Sequence, residues 1–585
     1  MASHSSVTRT PLYLRIAPHP AYGVLHAPVS GVRQRTGVIL CPPFGWEELW
    51  AYRSYVAWAN ALAGEGYPAL RFDLPGTGDS GGSAADIDCF RGWQATISAG
   101  ASHLRVAVGC TRVVALGVGL GGLLACEALA AGAPIDDLAL WAVASSGHLQ
   151  LRESRAYARF VRAASTGVRE SEDPVLEDGS LDLAGFVLAA DAVRALEALD
   201  LTELAIPAAT ALLLDRDSLP FDRRLHEHLL NCGVQVTTAS GPGYSAMMDL
   251  VFPREPRETF ATTIDWLGNE RPERAAGELV APTVSDAVEL ELDRSQIRES
   301  PFEVDRSGEL MRGILTEPVE RSQAQLCAVF VNGAAIRRIG TQRLWVQAAR
   351  RFATRGVPTL RLDLLGFGES DGDSGTHADG DDGFYRESIT GDVRAALDAL
   401  ERRGLGTEYL VAGLCSGGFR ALDVALHDDR VRAPVMVNPG TFDWQPGMFH
   451  PARVELNLRR YARLTASLVW HRRLSELRGR VRDEKLASRA FFTIILRARR
   501  LTLRGPLERR FAVLSKRGAA TTLVIGRDDY VEPQLKSLGL SQSTEPWPGV
   551  MLERIPAHDH MFVSLDNQRL LHEALDRALG RALGG

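Results

Sequence analysis

The chain repeats part of itself at a constant spacing, and this repeat constrains its fold more than any other feature. Residues 56–73 read VAWANALAGEGYPALRFD and residues 346–363 read VQAARRFATRGVPTLRLD, so that position 56 corresponds to position 346, an offset of 290. The offset holds back to GVL at 23–25 and GIL at 313–315. Long internal repeats indicate repeated architecture, and 585 residues exceed what one hydrophobic core serves. We therefore expect two copies of one fold.

Each copy also contains two glycine-rich segments. LPGTGDSGG at 74–82 corresponds to LLGFGESDG at 364–372, and GVGLGG at 117–122 corresponds to GLCSGG at 413–418. Short apolar runs such as LCAVFV alternate with amphipathic segments, which is typical of parallel strands covered by helices on both faces. The sequence therefore predicts an α/β fold with two tandem domains, each a doubly wound, mostly parallel sheet.

The domain boundaries are expected where the pattern is interrupted. The polar stretch NERPER begins at residue 269. We expect a first domain over 1–268 (the first half), a linker over 269–286 and a second domain over 287–585 (the second half), packed against each other. Helical lid insertions are predicted at about 146–205 and about 441–518.

Composition excludes several classes of protein. The chain has 66 Lys and Arg against 72 Asp and Glu, a net charge of −6 that argues against a nucleic-acid binder. The first ten residues lack the apolar region of a secretory signal, and no apolar stretch is long enough to span a bilayer. Seven cysteines are scattered without C-x-x-C pairs. We expect a cytoplasmic protein with no transmembrane segment, disulfide, metal or cofactor.

The GLCSGG segment has the features of a nucleophile turn. It follows the apolar run YLVA at 409–412 and precedes a predicted helix over 419–427. Gly413 and Gly417 flank Cys415 at the positions where small residues let strand and helix approach each other. A structural role is the usual fate of a cysteine, but this position favours a nucleophile.

These motifs resemble the α/β-hydrolase superfamily, with cysteine where serine is usual, as in dienelactone hydrolases and some thioesterases. More narrowly, VNGAAIRRIGTQR, RLDLLGFGES, AGLCSGG and IPAHDH resemble hydrolases that accompany bacterial exosortase A systems. CPPFGWEELWAYRS and FDLPGTGDSGG in the first half resemble their partner type. The resemblance implies two tandem α/β-hydrolase domains, of which the second has a complete site.

The resemblance also indicates where a base and an acid should lie. His560, in IPAHDH after the last predicted strand, is at the position of the superfamily histidine, and its neighbour His558 is expected not to be catalytic. Asp529 stands four residues before Pro533, as in the family's acid loops, and Asp528 is the alternative. Nucleophile, acid and histidine then follow in the order that this fold uses.

An oxyanion hole is predicted beside Cys415. Its donors would be the backbone N–H of Ser416 and one N–H from the loop that contains Gly333 and Ala334. The Ser416 hydroxyl itself is expected not to be the nucleophile, because Cys415 is better placed on the turn.

The first half lacks this constellation. Gly119 stands at the nucleophile position and Tyr244 near the expected histidine, so that only an acid remains, as Asp215 or Asp217. We expect the first half to be a degenerate domain that stabilises the second half or docks its substrate. The alternative is that Tyr244 serves different chemistry in the first pocket.

Basic residues are concentrated in the second insertion. Residues 453–517 contain 19 Lys and Arg against 5 Asp and Glu. Arginine pairs well with phosphate, so this excess favours a substrate carried on coenzyme A or on the phosphopantetheine of an acyl carrier protein. The alternative is a set of amphipathic helices whose charged faces meet solvent.

The sequence therefore predicts a cofactor-independent hydrolase that cleaves an acyl ester or thioester through an S-acyl enzyme at Cys415. The same intermediate could pass to an alcohol or amine, which would make the protein an acyltransferase or a cyclase. A different class remains open, in which both halves are non-catalytic and the protein is a binding scaffold.

Overall fold

The structure is a computed structural model. It describes residues 7–29, 34–166, 175–217, 219–249, 253–269, 279–320, 325–331, 333–372, 381–444, 507–527, 529, 531–532, 535, 547, 549–556 and 559–584. Of the predicted features, residues 270–278 of the linker and residues 445–506 of the second insertion lie outside these ranges, as do Asp528 and His558.

The chain divides into two compact units. The first comprises Met1–Ala163, Gly167–Ser322 and Ala335–Ser374, and the second comprises Ala164–Thr166, Gln323–Ala334 and Gly375–Gly585. The first unit thus contains most of the first half together with the opening strands of the second.

The first unit contains a nine-stranded sheet with the order β10-β9-β6-β5-β3-β4-β2-β1-β11. Its strands are β1 (Val7–Leu14), β2 (Ala21–Pro28), β3 (Thr36–Cys41), β4 (Ala69–Phe72), β5 (Arg112–Val118), β6 (Asp137–Trp141), β9 (Thr210–Leu214), β10 (Gln235–Ala239) and β11 (Val284–Ser285). From β4 to β10 neighbouring strands are parallel, whereas β11, β1 and β2 add antiparallel pairs. The buried apolar runs on β3 and β5 therefore form the predicted parallel sheet.

Helices cover this sheet and continue into the first insertion. They are α1 (Trp46–Gly64), α2 (Cys89–Val106), α3 (Leu120–Ala130), α4 (Gly147–Thr166), α5 (Ala190–Ala198), α6 (Arg223–Asn231), α7 (Tyr244–Met247) and α8 (Arg257–Leu267). The first insertion holds α4, α5 and a 3₁₀ turn at Leu201–Glu203, but also a hairpin of β7 (Leu181–Leu183) and β8 (Phe186–Leu188). The sequence predicts a helical insertion, and the structure shows that it also contains strands.

The opening strands of the second half lie in the first unit as an antiparallel group. They are β12 (Val288–Leu292), β13 (Ser295–Arg306), β14 (Glu309–Pro318) and β16 (Thr359–Asp363), with neighbours in that order. A 3₁₀ turn at Thr341–Arg343 leads into helix α9 (Leu344–Thr354).

The second unit contains five parallel strands in the order β15-β17-β18-β19-β20. Its strands are β15 (Leu326–Val331), β17 (Glu408–Leu414), β18 (Val431–Val437), β19 (Thr521–Gly526) and β20 (Val550–Ile555). Its helices are α10 (Asp381–Tyr385), α11 (Ser388–Arg402), α12 (Ser416–His427) and α13 (Leu565–Ala582). β17, β18 and β19 are almost entirely buried, as expected of strands in a parallel sheet.

The described residues contain neither a candidate membrane-spanning helix nor a candidate metal site. No described helix combines the length and the apolar character needed to cross a bilayer. In the same ranges, no group of histidine, cysteine, aspartate and glutamate side chains is arranged to hold a metal ion.

Candidate active site

Cys415 lies on a strained turn between β17 and α12. Its φ of 58° and ψ of −121° are in a region that residues other than glycine rarely adopt. The turn is possible because the flanking glycines touch, since a Cβ on Gly413 would stand only 2.4 Å from the carbonyl carbon of Gly417. This is the sharp strand-to-helix geometry predicted for GLCSGG.

The structure brings Cys415, His560 and Asp529 together. The His560 Nδ1 and Asp529 Oδ2 atoms are 2.6 Å apart. The His560 ring is also hydrogen-bonded to the Cys415 side chain. The Asp529 side chain is 1% exposed and that of His560 19% exposed. The histidine thus links a buried carboxylate to a thiol that is partly open to solvent.

The surroundings of His560 favour its charged form. Burial alone lowers the pKa of the imidazole, but the Asp529 carboxylate and the Cys415 side chain outweigh burial and raise this pKa to about 10. An imidazolium held beside a sulfur atom favours the thiolate, which is the reactive form of cysteine.

A residue that sequence reasoning missed holds the histidine loop. Asn438, fully buried at the end of β18, donates from Nδ2 to the His560 carbonyl oxygen at 3.1 Å. Its Oδ1 accepts from the Gly526 N–H at 2.8 Å. Asn438 therefore ties the histidine loop to the strand that precedes Asp529. An asparagine directly after a buried strand was the available signal.

The predicted oxyanion residues are adjacent to one another. The Ala334 N–H donates to the Ser416 hydroxyl oxygen at 2.9 Å, and Ala334 has a φ of 47°. A Cβ on Gly333 would stand 2.5 Å from the Leu414 carbonyl oxygen and 3.8 Å from the Cys415 Cβ. The loop therefore lies directly against the nucleophile turn. The Ala334 N–H, predicted among the oxyanion donors, is thus taken up by the Ser416 hydroxyl, which links the loop to the turn.

The first half preserves the geometry of this turn, with Gly119 at the position of Cys415. Gly119 has a φ of 52° and a ψ of −122°, nearly the angles of Cys415. A Cβ at Gly119 would lie 3.4 Å from Nε2 of Gln150, a side chain that is 2% exposed. Gln150 therefore stands beside the position where a nucleophile would be.

Tyr244 and the two candidate acids of the first half are not arranged as a triad. The Tyr244 hydroxyl donates to Glu47 at 2.9 Å, and burial raises the pKa of that carboxyl to about 7, although this hydrogen bond opposes the rise. Asp215 accepts from the Gly241 N–H at 2.7 Å. Asp217 accepts from the Gly243 N–H at 2.6 Å and from the Ser245 hydroxyl at 2.6 Å.

The fold of the chain is the α/β-hydrolase fold, with two sheets of mostly parallel strands that are consistent with two tandem α/β domains. Residues 328–574 match the Alpha/beta hydrolase family, and this match indicates a protein of the hydrolase type. The matched segment is less than half of the chain and includes Cys415, Asp529 and His560.

Several solved structures are similar to part of the chain. Est1E from Butyrivibrio proteoclasticus is 16% identical over 44% of this chain and 100% of its own, with a TM-score of 0.30. Proline iminopeptidase from Mycobacterium smegmatis is 17% identical over 44% and 97%, with a TM-score of 0.31. Dienelactone hydrolase from Anabaena variabilis is 14% identical over 49% and 98%, with a TM-score of 0.30. Values this low carry no conclusion about chemistry. A comparison with curated proteins gives no match.

Proposed function

We propose that the second half is a cysteine hydrolase that cleaves an acyl ester or thioester. The observation that carries the proposal is the position of His560. Its ring is hydrogen-bonded both to Asp529, at 2.6 Å, and to Cys415 on the strained turn. Nucleophile, base and orienting acid in that order of contact are what covalent acyl transfer requires.

The first step forms an acyl enzyme. The Cys415 thiolate attacks the acyl carbonyl carbon, and the carbonyl electrons move onto oxygen to give a tetrahedral oxyanion. When the oxyanion collapses, the bond to the leaving group breaks, and the His560 imidazolium gives its proton to the departing alkoxide or thiolate. Asp529 holds the imidazole in the orientation that this transfer needs.

The second step releases the acid. His560, now neutral, takes a proton from water as the water oxygen attacks the S-acyl carbonyl. Collapse of the second oxyanion breaks the carbon–sulfur bond, which frees the carboxylic acid and returns the Cys415 thiolate beside the His560 imidazolium. A thioester substrate suits this site because the attacking and leaving groups are then both sulfur atoms, whose thiolates leave easily.

Ser416 gives the oxyanion hole a particular form. The Ala334 N–H donates to the Ser416 hydroxyl oxygen, so the hydroxyl hydrogen is available to point elsewhere. We expect it to turn toward the oxyanion and to act together with the Ser416 N–H. A preorganised donor of this kind stabilises the charge that develops on oxygen.

The experiment is a substrate panel of acyl-CoA thioesters and p-nitrophenyl esters, tested on wild type and on Cys415→Ala. We expect hydrolysis by wild type and a loss of about 10⁴-fold in the variant, since the nucleophile is removed. Cys232→Ala, at an exposed cysteine of the first half, is the matched control and should keep full activity. Activity that survives in Cys415→Ala contradicts the mechanism. A folded wild type that turns over no member of the panel, with water, alcohol or amine as acceptor, would favour a binding scaffold.

A further inference from the structure

The loops that follow β4 and β16 have the same internal structure. We call residues 73–82 the first acidic loop and residues 363–372 the second acidic loop. The Asp79 N–H donates to Asp73 at 2.8 Å, and the Glu369 N–H donates to Asp363 at 3.0 Å. Asp73 and Asp363 are equivalent positions of the repeat, as are Asp79 and Glu369, each 290 residues apart. The two loops are therefore equivalent elements of the first and second halves, and both lie in the first compact unit.

Each acidic loop is held by an arginine from the other half of the chain. Arg53 donates to three carbonyl oxygens of the second acidic loop, those of Gly368, Ser370 and Gly372, at 2.9, 3.0 and 2.9 Å. Arg343 donates to the carbonyl oxygens of Gly76, Gly78, Ser80 and Gly82 in the first acidic loop, at 2.8, 2.9, 2.7 and 2.9 Å. Arg53 and Arg343 are also 290 residues apart.

Two ion pairs connect the two halves in the same reciprocal way. Arg71 of the first half donates to both carboxylate oxygens of Glu369, at 2.8 and 2.9 Å. Arg361, its equivalent in the second half, pairs with Asp79 of the first. At least 95% of each of these four side chains is buried. Contacts in which residue i meets j while the equivalent of i meets the equivalent of j are the signature of a twofold interface between like subunits.

Two adjacent pairs of equivalent positions break this symmetry with opposite charges. Glu47 and Glu48 of the first half correspond to Arg337 and Arg338 of the second. Arg337 lies 2.6 Å from Glu48 and 3.1 Å from Asp73, and Arg338 lies 2.8 Å from Asp79. All of these contacts are buried.

The reversed charges determine which halves can pair. If two second halves met through this surface, Arg337 of one would face Arg338 of the other. If two first halves met, Glu48 would face Glu47. Like charges brought together in a buried interface are strongly unfavourable, whereas the unlike pairing places arginine against glutamate.

We propose that the first half is a built-in partner subunit that pairs specifically with the second half. Through its contacts with Arg337 and Arg338 of the second half, it holds the loop that follows Gly333 and Ala334, two of the predicted oxyanion residues. Ala334 precedes Arg337 by only three residues of chain. Arg337 and Arg338 are thus positioning residues. This catalytic part of the proposal rests on the proposed function, whereas the pairing does not.

The pairing is tested on the full chain with a protease site inserted in the predicted linker at 269–286. After cleavage of the purified protein, native mass spectrometry should show one complex of one first half with one second half, at low and high salt, because buried pairs are screened little. Free halves, or complexes of two like halves, would overturn the proposal. Arg343→Lys keeps the charge but loses the fork, and should make the cleaved complex dissociate at lower urea; an unchanged urea threshold overturns it too.

The positioning is tested by hydrogen exchange in the peptide 326–345. Asp79→Asn, which weakens the contacts to Arg338 and Arg361, should speed exchange there about tenfold. The control is Asp136→Asn, at a buried first-half aspartate that pairs with Arg105 outside this interface, and it should leave the peptide unchanged. Equal exchange in both variants overturns the positioning role.

The two proposals fail separately. On an accepted substrate, Asp79→Asn should lower kcat about tenfold with little change in KM, because the oxyanion forms only in the transition state. An unchanged kcat overturns the positioning role while leaving the hydrolase assignment intact. If wild type hydrolyses nothing, the proposed function fails, and the mass-spectrometry and exchange experiments still decide the interface.

Discussion

The turns at Cys415 and Gly119 share a backbone conformation and differ in the side chains that surround them. Cys415 and Gly119 differ by only 6° in φ, at 58° and 52°, and by 1° in ψ, at −121° and −122°. The turn persists in the first half because a glycine contact closes it there as well, with a Cβ on Gly117 placed 2.2 Å from Gly122. Strand-to-helix packing therefore preserves the turn independently of any nucleophile.

The acids teach the same lesson. Asp529 faces His560, whereas Asp217 is bonded to backbone and side-chain groups of the segment 243–245 that replaces the histidine region. The first-half carboxylate thus stabilises a loop. We therefore expect a substitution at Asp529 to change catalysis and the matched substitution at Asp217 to change stability.

The largest effect is expected from His560→Gln. Without the imidazole neither the thiolate nor proton transfer is supported, and we expect kcat/KM on an accepted acyl substrate to fall about 10⁴-fold. Steady-state kinetics give the measurement, with His427→Gln as a control at an exposed histidine on α12. A loss of less than tenfold would mean that another group serves as base.

Asp529→Asn should lower kcat about 10³-fold, because the imidazole loses the group that orients and charges it. Asp217→Asn is the matched change in the first half, and it should lower the urea midpoint of unfolding without altering kcat. If both variants lose activity equally, or neither does, the proposed contrast between the two acids is wrong.

Ser416→Ala should lower kcat about tenfold and leave KM nearly unchanged. The variant keeps the Ser416 backbone donor but removes the hydroxyl that accepts from Ala334. A change confined to KM would indicate instead that the hydroxyl binds substrate.

The charge of His560 should make stability depend on pH. Its folded pKa of about 10 exceeds the ordinary value of 6.5, so its contribution is complete below about pH 6.5 and is lost as pH rises through about 10. Urea unfolding from pH 6.5 to 10 should show a decline in wild type that is smaller in His560→Gln. The same decline in both proteins would assign it to other groups.

The smallest effect is expected from a substitution at Gly119, on the turn of the first half. Gly119→Cys supplies a thiol on the same backbone, but Tyr244 stands near the expected histidine position, and its hydroxyl donates to Glu47. We expect no new hydrolysis when the change is made in a Cys415→Ala background, and no activated thiol toward iodoacetamide at neutral pH. Recovered activity would show that the first half retains a working base.

Sequence reasoning was most successful where a local pattern carries the geometry. The turn at Cys415 follows from glycine spacing, and the parallel strands follow from buried apolar runs, so the fold was predicted correctly. The hydrogen bonds of Ser416 to Ala334 and of Asn438 to His560 join residues 82 and 122 positions apart. An asparagine after a buried strand marks a candidate residue, but no local pattern indicates its partner. The hairpin in the first insertion could not be predicted, because its strands are only three residues long and give no clear alternation.

The contacts of Arg53 and Arg343 could not be predicted from the sequence for a different reason. Arg53 and Arg343 stand at equivalent positions of a repeat that was recognised, so the symmetry was visible, but not the contact. Their partners are backbone carbonyl oxygens, which every residue has. Only the three-dimensional structure shows which loop each guanidinium reaches.

The most direct test of the central claim is to locate the covalent acyl group. Wild type and Gly119→Cys would each be mixed with an accepted acyl thioester, quenched in acid and digested for peptide mass spectrometry. We predict an acyl adduct on the Cys415 peptide in both proteins and none on the peptide that contains residue 119. Turnover of the substrate without an adduct on Cys415, or an adduct at residue 119, would contradict this account.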